Sequence, residues 1–96
     1  MSKNYEFFGF IVPAYMLEVL KRYINTGAKP GDFLTAVVEN NLSLAVGRAD
    51  TYNRANLPAY VGYLYNEAPR GCWGSPEKVK AWSKAGGLEG MEKNDE

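Results

Sequence analysis

An all-α fold, a small bundle of four or five short helices with an extended aromatic N-terminal arm, is what this 96-residue sequence predicts. Three observations carry that reading. Apolar residues recur at three- and four-residue steps through most of the chain, the spacing that lines up one face of a helix. Helix punctuation falls between those stretches, at Pro13, Gly27, Asn40-Asn41 and Ser75-Pro76. The length suits one core, since a second domain would need about 50 residues more. The expected organisation is a single helical domain over residues 1–84 and a disordered C-terminal tail over 85–96.

The run Tyr5 to Val12 is aromatic and β-branched, is interrupted by Gly9 and is too short for a helix. It reads as an arm that packs on the body or on a neighbouring subunit, as an irregular tether or as a strand exchanged within an oligomer, because a lone strand has no partner in this chain. Pro13 suits a first helical turn, and Met16, Leu17, Leu20, Tyr23 and Ile24 then share one face until Gly27 ends the helix. Lys29-Pro30-Gly31-Asp32 is a turn whose Asp32 can cap a second helix with the stripe Phe33, Leu34, Val37 and Val38. Asn40-Asn41 interrupts or re-caps it before Leu42, Ala45, Val46 and Ala49. The periodicity continues through Leu57, Tyr60, Val61, Leu64 and Tyr65. Pro58 would cost about 3 kcal/mol inside a helix, which favours a new start at Asn56-Leu57-Pro58 over a kink. Ser75-Pro76-Glu77 opens a last helix anchored by Val79 and Trp82. From Ala85 onward the glycines and charges offer nothing to bury. The predicted core is Met16, Leu17, Leu20, Ile24, Phe33, Leu34, Val37, Leu42, Ala45, Val46, Leu57, Val61, Leu64, Val79 and Trp82.

Composition narrows function. Eleven basic and eleven acidic side chains cancel, which argues against binding extended nucleic acid through its phosphates but leaves room for a local basic pocket. The chain has no His and a single Cys72, so the usual metal sites and His-dependent catalytic triads lack their ligands and bases. No cofactor and no metal are expected. The apolar run Phe7 to Val12 is far shorter than the roughly 20 residues of a membrane span, and it lacks a secretory signal's basic start and cleavage site. A reducing cytoplasm is the expected setting. Seven Tyr residues favour half-buried positions and subunit contacts, and so a homo-oligomer.

Two stretches hold the candidate binding residues. In Gly47-Arg48-Ala49-Asp50 with Asn53, Arg48 and Asn53 either reach a ligand, where a guanidinium and an amide recognise phosphates and base edges, or join helix ends in a structural network with Asp50 and Arg54. The loop Asn66 to Pro76 combines two glycines, Arg70, Trp73 and a helix N-terminus at Ser75. Backbone N–H groups and Ser75 would hold a phosphate, Arg70 its charge and Trp73 a stacked ring; equally, the loop would be an ordinary one pinned by a buried Trp. Lys29, on a turn before a helix, is a further candidate. Neither nucleotide-binding glycine fingerprint is present, and no pair of carboxylates is placed for acid–base work, so binding rather than catalysis is expected.

The run Pro13-Ala-Tyr15-Met16, Leu20-Lys-Arg22-Tyr23-Ile24, Gly27, Pro30-Gly31-Asp-Phe33-Leu34-Thr-Ala36-Val37, Asn40-Asn41-Leu42, Gly47-Arg48-Ala49-Asp50, Asn53, Tyr65-Asn66 and Gly71-Cys72-Trp73-Gly74-Ser75-Pro76-Glu77 resembles a group of small accessory proteins of tailed phages and prophages. It departs from that pattern at Lys29, Asn41 and Pro58. The resemblance implies a phage origin and action in the host cytoplasm. Accessory proteins of this kind commonly blunt host immunity, by sequestering a small cyclic or ADP-ribose-type nucleotide signal or by occluding a host defence complex. The first is the leading expectation, with an oligomer enclosing the ligand between loops; the second, a proteinaceous inhibitor, is the alternative.

Overall fold

The computed structural model describes residues 3–94 and gathers the periodic stretches into a mainly helical fold that also holds a two-stranded sheet. β1 (Tyr5–Phe7) and β2 (Phe10–Val12) precede α1 (Ala14–Thr26), α2 (Asp32–Val38), α3 (Leu42–Arg48), α4 (Thr51–Ala55) and α5 (Leu57–Asn66). A 3₁₀ turn (Arg70–Cys72), α6 (Pro76–Ala85) and α7 (Gly87–Asn94) complete the chain. The described residues carry seven α-helices where four or five were expected. The short α4 stands apart from α5, and α7 occupies a stretch assigned to the tail. The radius of gyration, 13.0 Å, matches the value of about 13 Å expected for a compact chain of this length.

The N-terminal arm is a hairpin. Tyr5 pairs with Val12, Glu6 with Ile11 and Phe7 with Phe10, antiparallel, around a two-residue turn at Phe8-Gly9. The expectation of a strand without a partner in the chain is overturned because Gly9 is not an interruption but the turn that returns the second half onto the first. The hairpin seats on α5, where Gly62 makes room for it. A Cβ at Gly62 would stand 2.6 Å from the Phe7 ring, so only glycine admits that contact. Tyr5 meets Tyr63 edge to face at a centroid distance of 5.2 Å, and Asn56 Oδ1 accepts the Ile11 N–H at 2.8 Å.

Helix ends follow local chemistry closely. Gly27 ends α1 in the left-handed region (φ 77°), its N–H donating to the Tyr23 carbonyl at 2.8 Å. Gly31, rather than Asp32, is the cap of α2, with Asp32 in the first turn where its charge suits the helix dipole. Asn41 caps α3 and Asp50 caps α4 through their side chains. A new helix does start at Leu57, with Pro58 in its first turn, where the missing N–H costs nothing.

Two readings of burial are corrected. Leu42, Val46 and Val61 are 68%, 38% and 50% exposed. α3 lies on α2 through the small Ala45 and leaves its larger side chains outside. On α5 the buried arc runs through Ala59, Tyr60, Gly62, Tyr63 and Leu64, since the hairpin and α2 both pack on that helix and turn Val61 and Tyr65 outward. The core instead takes in Val12, Tyr23, Val38, Tyr60, Tyr63 and Cys72. Its polar atoms are matched: Tyr23 donates to the Cys72 carbonyl at 2.7 Å, Tyr60 to Asn53 Oδ1 at 2.7 Å, and Trp82 Nε1 to the Ile24 carbonyl at 3.0 Å. Among the described residues no buried side-chain nitrogen or oxygen lacks a partner. Burial raises the pKa of Tyr23, Tyr60 and Tyr63, keeping these phenols neutral, the first two as donors.

The stretch from residue 85 onward, expected to be disordered, is helical as far as it is described; residues 95–96 lie outside the described residues. Gly86 and Gly87 both take positive φ (80° and 67°) and reverse the chain so that α7 lies against α1. Gly87 is buried there, and a Cβ on it would stand 2.6 Å from the Asn25 backbone carbon. Met91 then packs against the core, and Ser83 Oγ donates to the Gly27 carbonyl at 2.5 Å. The glycines make a corner, not an unfolded end.

Candidate functional site

The loop between α5 and α6 is braced from inside. Cys72 is fully buried and its carbonyl receives the Tyr23 hydroxyl, while the Gly74 N–H donates to the Val38 carbonyl at 2.8 Å. Gly71 lies against the Trp82 ring, where a Cβ would sit 3.3 Å from Cζ3. These contacts, from α1, α2 and α6, hold the loop's outward residues in place.

Those residues line a cleft of about 400 Å³ formed by Tyr65, Arg70, Trp73, Gly74 and Lys78. Tyr65 extends from the last turn of α5 and is 79% exposed. Trp73 is half-buried, with one part of the ring packed on the core. Ser75 caps α6 by accepting the Lys78 N–H at 3.2 Å, which sets the first turn so that Lys78 folds over Gly74. A Cβ built at Gly74 would stand 3.4 Å from Lys78 Cδ and 3.5 Å from Nζ. Neither the Arg70 guanidinium nor the Lys78 ammonium forms a hydrogen bond or ion pair with another described residue. The cleft thus offers two cations and two aromatic faces, and among the described residues no carboxylate lines it. That set attracts an anion attached to a planar ring.

Of the residues singled out from the sequence, the structure brings together Arg70 and Trp73. Asn53 is not placed for a ligand: it is buried, its Oδ1 accepts the Tyr60 hydroxyl, and its N–H is held by Asp50 at 2.7 Å. Arg54 binds the Val46 and Ala49 carbonyls and ties α4 to the end of α3, so this cluster joins helix ends. Arg48 is exposed at the end of α3, 3.4 Å from the Asp32 carbonyl, and lies outside the cleft. Ser75 spends its hydroxyl on the cap. Lys29 lines a different hollow of about 620 Å³ with Glu39, Val79, Lys80, Ser83 and Lys84.

Tyr65 and Lys78 are the members that the sequence reading missed. Lys78 had a signal, because a residue three positions after a capping Ser returns to the turn beside the loop. Tyr65 had none, since its exposure depends on the hairpin covering the other side of α5.

Cys72 does not supply a nucleophile to the cleft. It is completely buried, and burial pushes its thiol up to about 11, so it stays protonated. Among the described residues no group of three or more Cys, Asp or Glu side chains is arranged to hold a metal ion, and no helix is long and apolar enough to cross a membrane.

No family model matches the chain, and neither the curated proteins nor the solved structures offer a match.

Proposed function

We propose that this chain is a binding protein of phage origin that sequesters a small cyclic or ADP-ribose-type nucleotide signal of host immunity. One observation carries the reading: two cations that pair with no described residue share one cleft on a braced loop with two aromatic rings, and no described carboxylate lines it. The cleft's volume lies within the range of about 300–1,000 Å³ typical of small-ligand sites. Stacking on an aromatic face is worth about 1–3 kcal/mol per base. Arg70 supplies a planar fork for a phosphate and Lys78 a point charge beside it. The phosphate contacts come from these side chains, since the Gly74 and Lys78 backbone N–H groups are already engaged. The ligand is held and returned intact rather than converted.

Protein purified from host cells, denatured and examined by mass spectrometry should release a nucleotide. Calorimetry with cyclic dinucleotides and ADP-ribose derivatives should then give saturable binding. Arg70→Ala should weaken it about 10- to 100-fold, the loss of a charge-assisted hydrogen bond worth about 1.5–3 kcal/mol, with melting unchanged. A wild-type protein that releases nothing and shows no heat with that panel defeats the reading.

A protein inhibitor that occludes a host defence complex is the second reading. It is favoured by α3, which turns Leu42 and Val46 outward one helical turn apart. Leu42→Glu should abolish recovery of a defined host complex in that case, while leaving nucleotide titrations silent throughout.

A further inference from the structure

The hairpin turn carries a residue that neither its conformation nor its surroundings explain. Phe8 and Gly9 form the two-residue loop, with φ of 49° and 84°. Positive φ at both positions marks the turn type that ordinarily takes Asn-Gly, because Asn tolerates the left-handed region and its amide is at home in water. Phe does neither. Yet Phe8 stands there 87% exposed, touching the Phe7 ring edge to face at a centroid distance of 4.7 Å. A local rule broken on an exposed turn calls for a contact made outside the folded chain.

Beside this knob lies a recess of about 770 Å³ lined by Phe7, Phe8, Pro58, Val61, Gly62, Tyr65 and Asn66. We infer that a second copy of this chain docks here, the Phe8 of each copy entering the recess of the other about a two-fold axis. Three features select a second copy. Knob and recess lie side by side on one face, which is what an isologous contact requires. The described lining residues bear no formal charge, so two identical faces meet without the repulsion that a charged patch would impose on itself. The area also suffices: Phe8 and Tyr65, 87% and 79% exposed, offer about 300 Å² between them at about 150–250 Å² per aromatic side chain. Val61, Pro58 and Asn66 bring the face to about 500 Å², so a pair buries about 1,000 Å², the lower limit for a specific interface. The dimer is therefore concentration-dependent.

Tyr65 lines both this recess and the cleft, so pairing and nucleotide binding share one side chain, yet their failures are distinguishable, since binding is read by titration and pairing by mass. Light scattering across a dilution series should show the mass rising toward twice 10.7 kDa. Phe8→Asn should hold the chain at the single-copy mass where the wild type is paired, with no loss of melting temperature at high dilution, since Asn suits this turn. Val61→Lys, on the α5 side of the recess, should do the same. A wild-type chain that remains at 10.7 kDa at every concentration overturns the proposal, even if that face captures a foreign protein. So does an oligomer whose mass both substitutions leave unchanged.

Discussion

Tyr23→Phe removes a single oxygen atom from the middle of the molecule and tests whether the cleft is braced from inside. Tyr23 is 0% exposed, and its hydroxyl donates to the Cys72 carbonyl at 2.7 Å, joining α1 to the loop that carries Arg70 and Trp73. The substitution keeps the ring and its packing but leaves a buried carbonyl without that donor, at a cost of about 1–3 kcal/mol. In a domain of this length each kcal/mol lowers the melting temperature by about 4–8 °C, so a drop of at least about 4 °C is expected. Urea denaturation should give the same loss as a shift in midpoint at unchanged slope. The loop should also loosen. Exchange of the Gly74 amide, bonded to Val38, should accelerate beyond the change in global stability, and nucleotide affinity should fall although Tyr23 lines no part of the cleft. Stability within about 0.5 kcal/mol of wild type, together with unchanged Gly74 exchange, would refute the brace.

Asn53→Ala should destabilise the fold by about 1–3 kcal/mol in thermal or chemical melts, because the buried Tyr60 hydroxyl loses its acceptor, and should leave nucleotide affinity unchanged. Loss of binding at constant stability would return Asn53 to the ligand. Alkaline pH should destabilise the protein through Cys72. Its folded pKa is pushed up to about 11 from an ordinary 9.0, so the unfolded thiol releases its proton first and stability, constant below pH 9.0, falls as pH rises toward 11. Urea midpoints between those limits should drop in wild type and less steeply in Cys72→Ala. The buried tyrosines, raised in the same sense, add to the loss above pH 10.0 in both proteins.

The helical elements were legible because their signals are local. Proline at a first turn, Gly27 in the left-handed region, Asn41, Asp50 and Ser75 at caps, and apolar steps of three and four each act within a turn or two of chain. Arg70 and Trp73 were legible for a related reason, as a cation and a ring on a short glycine-bounded loop. Tertiary contact decided the rest. Gly62 is an ordinary helix residue until Phe7 arrives on it, and that arrival turns Val61 and Tyr65 outward, giving the cleft its second ring and the hairpin face its recess. Asn53 has the chemistry of a ligand contact and was withdrawn from that role by Tyr60, seven residues on but buried against it. Gly86-Gly87 read as an unfolded end became a corner once α1 offered a surface for α7. Periodicity states that a residue has an apolar side to hide. Which neighbour covers it depends on contacts distant in sequence, whose free energy appears only when the chain has closed on itself.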